Sequence, residues 1–94
     1  MLKVNEYFDG RVKSIAADNS EGRSTVGVIA PGEYEFSTST VEIMMVITGH
    51  LDVQFPDGDG KWFTYKRNQT FTVQSGSSFK VKTDENSGYI CFYK

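Results

Sequence analysis

Apolar and polar residues alternate along much of this chain, and no stretch repeats its apolar positions with the period of a helix. At Gly32–Phe36, Tyr34 and Phe36 fall on one side and Glu33 and Glu35 on the other, the pattern of a strand with one wet face. A polar link, Ser37–Thr40, leads into Glu42–Thr48, which is apolar at both parities except at its head. A strand covered on both faces reads this way. Glu42 shares its parity with Met44 and Val46, and Ile43, Met45 and Ile47 take the other side. A carboxylate at the head of such a strand is out of place unless something polar meets it. Glu42 is therefore the first candidate for a functional residue. If Tyr34 and Phe36 mark the inward face and no bulge intervenes, Thr38 and Glu42 share it.

Further strands are predicted at Arg11–Ala16, Ser24–Ile29, His50–Phe55, Lys61–Tyr65, Thr70–Val73, Phe79–Thr83 and Tyr89–Tyr93, with residues 1–5 loose. Asp57–Gly60 lies between alternating runs and signals a hairpin. Pro31–Gly32, Ser75–Ser77 and Asp84–Gly88 read as turns. Short strands at this spacing predict an all-β single domain over residues 1–94, a sandwich or barrel rather than an α/β fold.

Composition narrows the function. Seven Phe, five Tyr and one Trp are a large aromatic share, which suits sheets. Net charge is −2, and Glu33–Gly60 holds acids but no Lys or Arg, so there is no basic stripe for a nucleic acid. The single Cys91 lies in the apolar run Tyr89–Tyr93 and reads as a buried thiol in a reducing compartment. The first ten residues hold no apolar core of a signal peptide, and no run reaches membrane-spanning length. A cytoplasmic protein without membrane contact is the expectation. His50, after a turn glycine, reads as an exposed loop histidine. Asp57–Lys61 opens like a calcium loop, but the twelfth position from Asp57 is Asn68 and not Glu.

Six residues separate Glu42 from Gly49, a spacing that resembles the end of the first cupin motif. The frame of the second motif falls on Asn68, Gln74, Gly76 and Phe79, of which only Gly76 keeps the motif residue. The resemblance implies a small jelly roll. The positions that carry metal ligands in metal-binding cupins fall on Phe36, Thr38, Glu42 and Phe79. One carboxylate and one hydroxyl are too few donors for a transition metal. No metal and no other cofactor is expected.

A closer resemblance covers the whole chain. Asn5–Phe8, Gly10, Val12–Ile15, Gly22–Arg23, Val26–Val28, Gly32–Tyr34, Phe36–Thr38, and Glu42 with Met44, Val46 and Gly49 are similar to the pyrimidine/purine nucleoside phosphorylases, a family of small cupins. The resemblance implies a metal-free dimer that splits nucleosides with phosphate to free base and ribose 1-phosphate.

That chemistry needs an anion clamp, negative charge near an oxocarbenium-like centre, and a proton or hydrogen bond for the leaving base. Arg23 is the best phosphate clamp in the chain, because a guanidinium binds phosphate oxygens in pairs. Ser24, Thr38 and Ser39 offer hydroxyl donors, and Phe36, Phe71 and Phe79 offer faces for a base. For Glu42 four roles stand open: holding ribose hydroxyls, stabilising charge, donating a proton, or anchoring turn amides. Two further functions fit the same residues. One is a catalytically silent cupin that binds a small sugar or anion, and the other is a structural dimer unit.

Overall fold

A computed structural model describes residues 2–94, and the alternating runs form ten strands among them. They are β1 (Val4–Tyr7), β2 (Val12–Ala16), β3 (Ser24–Ile29), β4 (Gly32–Ser37), β5 (Glu42–Thr48), β6 (His50–Gln54), β7 (Phe63–Lys66), β8 (Thr70–Val73), β9 (Ser78–Thr83) and β10 (Ser87–Tyr93). No helix interrupts them among the described residues. Six strands pair in the order β1-β2-β3-β10-β5-β8, and four in the order β4-β9-β6-β7. Every pairing is antiparallel.

The inward parities of the two sheets meet as one core. Val12, Ile29, Met44, Val46, Phe71, Val73, Tyr89 and Cys91 come from the six-stranded sheet. Tyr34, Leu51, Val53, Phe79 and Val81 come from the four-stranded one. Each fully buried aliphatic among them contributes about 1.5–3 kcal/mol relative to exposure. The chain passes from one sheet to the other at Gly49, between β5 and β6. Its φ of 76° is left-handed, and a side chain there would run into Ser87. The buried Ser87 hydroxyl in turn binds both backbone groups of His50: the His50 N–H donates to it at 3.1 Å, and it donates to the His50 carbonyl at 2.9 Å.

Three expectations change. Val4–Tyr7, half of it expected to be loose, is a strand paired in register with β2 from Val4↔Ile15 to Tyr7↔Val12; residue 1 lies outside the described residues. The strand expected at Lys61–Tyr65 starts at Phe63, because Trp62 stays in the β6–β7 loop with Lys82 Nζ 4.1 Å from its ring centre. Within the single chain no second sheet covers the other face of Glu42–Thr48: Met44 and Val46 are buried, while Ile43, Met45 and Ile47 are half-buried on the outer face. One row of that outer face is apolar over five strands. Val4, Ile15, Val26, Ile90 and Met45 stand side by side on successive strands.

Gly27 of β3 lies between Ser14 and Tyr89 in the sheet, and a Cβ at Gly27 would come within 2.6 Å of the Tyr89 ring. The ring packs where that side chain is missing. Gly27→Ala is expected to lower stability by about 1–3 kcal/mol, the cost of overpacking. Urea unfolding of the two proteins side by side measures it.

Candidate functional site

Near Glu42 the two sheets do not close. A cavity of about 430 Å³ remains between the inward faces of β2, β10 and β5 on one side and β4 and β9 on the other. Its walls differ in chemistry. Phe8, Phe36 and Phe79 form an aromatic wall, with ring centres 5.5 Å apart for Phe8 and Phe36 and 5.7 Å for Phe36 and Phe79. The opposing wall carries polar tips: Ser14, Glu42, Tyr89, Cys91 and Tyr93. Met44 lies beside them, and the exposed Tyr7, Glu35 and Ser37 complete the lining.

Strand pairing builds the polar wall. Glu42 is opposite Tyr93 and Met44 is opposite Cys91, so the cavity-facing residues of β5 and β10 interleave. The Cys91 thiol donates to Glu42 Oε1 at 3.4 Å. Burial pushes the Glu42 pKa above its ordinary value of 4.5, and the Cys91 hydrogen bond offsets this in part. Burial also lifts the Cys91 thiol to about 12, with the neighbouring Glu42 charge adding to it, so the thiol keeps its proton and remains the donor. Tyr93 rises to about 12 through burial, and its hydroxyl lies 3.1 Å from Thr25 Oγ1. Tyr89 rises for the same first reason. At neutral pH this wall offers hydroxyl and thiol protons around one carboxyl group.

Of the residues singled out by sequence, Glu42, Phe36 and Phe79 meet in the cavity. The others stand elsewhere. The Thr38 hydroxyl donates to the Gln74 carbonyl at 2.6 Å and receives the Ser77 N–H at 3.1 Å, so it ties β4 to the β8–β9 turn instead of facing the cavity beside Glu42. Ser24 is buried, its hydroxyl donating to the Ala17 carbonyl at 3.2 Å. Ser39 offers its carbonyl to the Ser75 hydroxyl at 3.2 Å. Phe71 packs against Tyr65 at 4.8 Å, Phe55 at 6.0 Å and Phe79 at 6.3 Å, in the core behind the aromatic wall and outside the lining. Arg23 is exposed and outside the lining, with its guanidinium 5.5 Å from the ring centre of Tyr93, which does line the cavity.

Sequence reasoning passed over Ser14, Tyr89, Cys91 and Tyr93. Their signal was parity: Tyr89, Cys91 and Tyr93 alternate along β10. Only the pairing of β10 with β5 shows that this parity faces Glu42. His50 is half-buried at the head of β6 and not free in a loop, with Nδ1 2.6 Å from Glu85 and Nε2 3.3 Å from Asp84. Among the described residues these three are the one group of metal-ligand type that gathers, and none of them lines the cavity. In the cavity Glu42 stands with a protonated thiol and tyrosines, a poor donor set for a transition metal.

A carboxyl whose pKa is higher in the folded chain than in the unfolded one binds its proton more tightly when folded. It supports the fold below 4.5, and that support is lost as pH rises through the raised value. Glu42→Gln removes the titration and keeps an oxygen for the Cys91 thiol. The melting temperature of the variant relative to the parent is therefore expected to climb between pH 4 and 7, and to equal or exceed the parent's at pH 7. Thermal melts at stepped pH check this.

The comparisons with known proteins agree with this architecture. The family model of the pyrimidine/purine nucleoside phosphorylases matches residues 2–93. A pyrimidine/purine nucleoside phosphorylase of Pseudomonas aeruginosa is 50% identical over 94 residues, the full length of both chains. A crystal structure of a Vibrio parahaemolyticus protein of unknown function superimposes with a TM-score of 0.92 at 36% identity, over 97% of this chain and 96% of that one. The cupin domain of a Schizosaccharomyces pombe protein shares the fold alone, with a TM-score of 0.70 at 15% identity, over 98% of this chain and 69% of that one. The cavity, its carboxyl and its aromatic wall thus sit in a cupin frame, and the chain belongs to the pyrimidine/purine nucleoside phosphorylase family.

Proposed function

We propose that the chain cleaves purine and pyrimidine nucleosides with phosphate, giving the free base and ribose 1-phosphate. The observation that carries this is the two-walled cavity. Its aromatic wall suits the flat face of any base, and Glu42 stands on the polar wall where a sugar would lie. A phosphate oxygen forms a bond to C1′ as the bond from C1′ to the base nitrogen breaks. The electron pair leaves with the base, which takes up a proton. Positive charge gathers on the ribose ring in between, and the Glu42 carboxylate, poorly solvated where it stands, is well placed to oppose it. The protonated hydroxyls of Tyr89 and Tyr93 are donors for the ribose or for the leaving base. Arg23, over the ring of Tyr93, is the cation for phosphate.

One observation favours a second reading. No Lys or Arg is part of the cavity lining, as would suit a silent cupin that holds an uncharged sugar. Mixing the protein with inosine decides between them. Release of hypoxanthine that requires phosphate supports phosphorolysis, and nucleoside binding with no release supports the silent cupin. If phosphorolysis holds, Arg23→Ala is expected to weaken apparent phosphate affinity by about 1.5–3 kcal/mol, the worth of a hydrogen bond to a charged group. Arg23→Lys should not repair it, because the paired donors are lost. Glu42→Gln should lower turnover about a hundred-fold or more, as for one preorganised electrostatic group. A phosphate dependence unchanged in Arg23→Ala would return Arg23 to the solvated surface.

For assembly we propose a two-fold dimer through the outer face of the six-stranded sheet, working in the cytoplasm. The row from Val4 to Met45 is apolar on every strand it crosses, and Ile15 and Val26 are 37% and 42% exposed in the single chain. Contiguous faces of this kind are seldom left in water, and a two-fold pairing covers one with its own copy. Light scattering is expected to give twice the chain mass at micromolar concentration. Val26→Lys should halve it, and a monomeric parent protein would refute the interface.

A further inference from the structure

The turn between β1 and β2 holds two residues with side chains in left-handed backbone, Phe8 at φ 53° and Asp9 at φ 58°, followed by Gly10 at 81°. Tight hairpins of this hand ask for Asn and Gly, and a bulky aromatic is a poor choice at the first position. What the conformation achieves is the placement of one ring. Phe8 lies 4.9 Å from the Tyr34 ring and edge-on to Phe36 at 5.5 Å, at the cavity wall. It stays 37% exposed, while Tyr34, on which it packs, is at 2%. Arg11 fixes the turn from outside: its Nε donates to the Phe8 carbonyl at 3.3 Å and its guanidinium lies 5.4 Å from the Tyr34 ring centre. A ring held in a disfavoured backbone, packed on one side and open to a cavity on the other, is placed for a ligand more than for the core.

We infer that Phe8 is the residue that grips the nucleobase, closing over its face while Phe36 and Phe79 line the wall beside it. The inference rests on the phosphorolysis reading for its substrate class. Stacking on a ring discriminates little between bases, so the grip would accept purines and pyrimidines alike, with the wider purine losing more when it is removed.

The test compares the parent with Phe8→Ala, Phe8→Leu and Phe8→Tyr on inosine and uridine, titrating nucleoside and phosphate separately. Phe8→Ala is expected to raise KM for inosine about ten-fold or more, with a smaller rise for uridine and a phosphate KM within two-fold of the parent. Phe8→Tyr, which keeps the ring, should recover most of the loss. Phe8→Leu, which keeps apolar packing against Tyr34 but not the ring, should not. If Phe8→Ala fails to fold, the Leu and Tyr pair carries the comparison. An active parent with nucleoside KM unchanged in Phe8→Ala and Phe8→Leu overturns the inference and leaves phosphorolysis standing, as does a Phe8→Leu that matches Phe8→Tyr. A parent without phosphorolysis removes the activity, and calorimetric titration of inosine then judges the grip: weaker binding in Phe8→Leu than in Phe8→Tyr supports it, and equal or absent binding rejects it.

Discussion

A strand that alternates must place Glu42 on the same side as Met44 and Val46, and that side is the interior. Much of the site follows from this one constraint. A carboxyl group held among core residues must be met by donors or left partly wet. Cys91 offers a single weak thiol hydrogen bond at 3.4 Å, so the second condition also has to hold, and the sheets stand apart where Glu42 sits. The opening that results is a consequence of placing one charge-bearing residue at the head of an inward-facing strand. The tyrosines and the serine around it supply hydroxyls at positions where a packed core would have aliphatics.

The electrostatics of the cavity divide the labour that a nucleoside and an anion would demand. The polar wall carries one carboxyl and protonated hydroxyls but no cation, and burial disfavours further negative charge there. A sugar is at home in such a wall and a phosphate dianion is not. Arg23, an exposed cation, lies at the far end of β10 over the ring of Tyr93, where an anion beside it would still be half in water. The two reactants would thus meet at a boundary between wet and dry surroundings, with the attacking group on the wet side.

Period-2 patterning made the architecture legible. Alternation along Gly32–Phe36 and Glu42–Thr48 placed Tyr34, Phe36, Glu42, Met44 and Val46 on the correct face, because each assignment depended on one strand alone. The site was less legible, because it depends on which strands are neighbours. Thr38 was placed beside Glu42 by extending parity across Ser37–Thr40, but the chain leaves β4 at Ser37 and the Thr38 hydroxyl turns to the β8–β9 turn. Cys91 and Tyr93 lie about fifty residues from Glu42 in sequence, and no local pattern says that β10 pairs with β5. Phe8 escaped for another reason: it sits in a turn whose left-handed backbone a local reading assigns to Gly or Asn. Ile43, Met45 and Ile47 read as buried, because apolarity argues for a cover without telling whether a chain's own sheet supplies it.

The notch at Gly27 has a consequence for how such a cavity changes over generations. The Tyr89 ring lies over the one inward position on β3 that carries no side chain, so the depth to which that ring sinks is set by a residue that never touches a ligand. Any group gained at Gly27 would push the ring toward the cavity and narrow it from behind. The shape of the cavity can therefore drift through a strand outside it while every residue that lines it stays the same. A comparison of relatives confined to the cavity lining would overlook such a change.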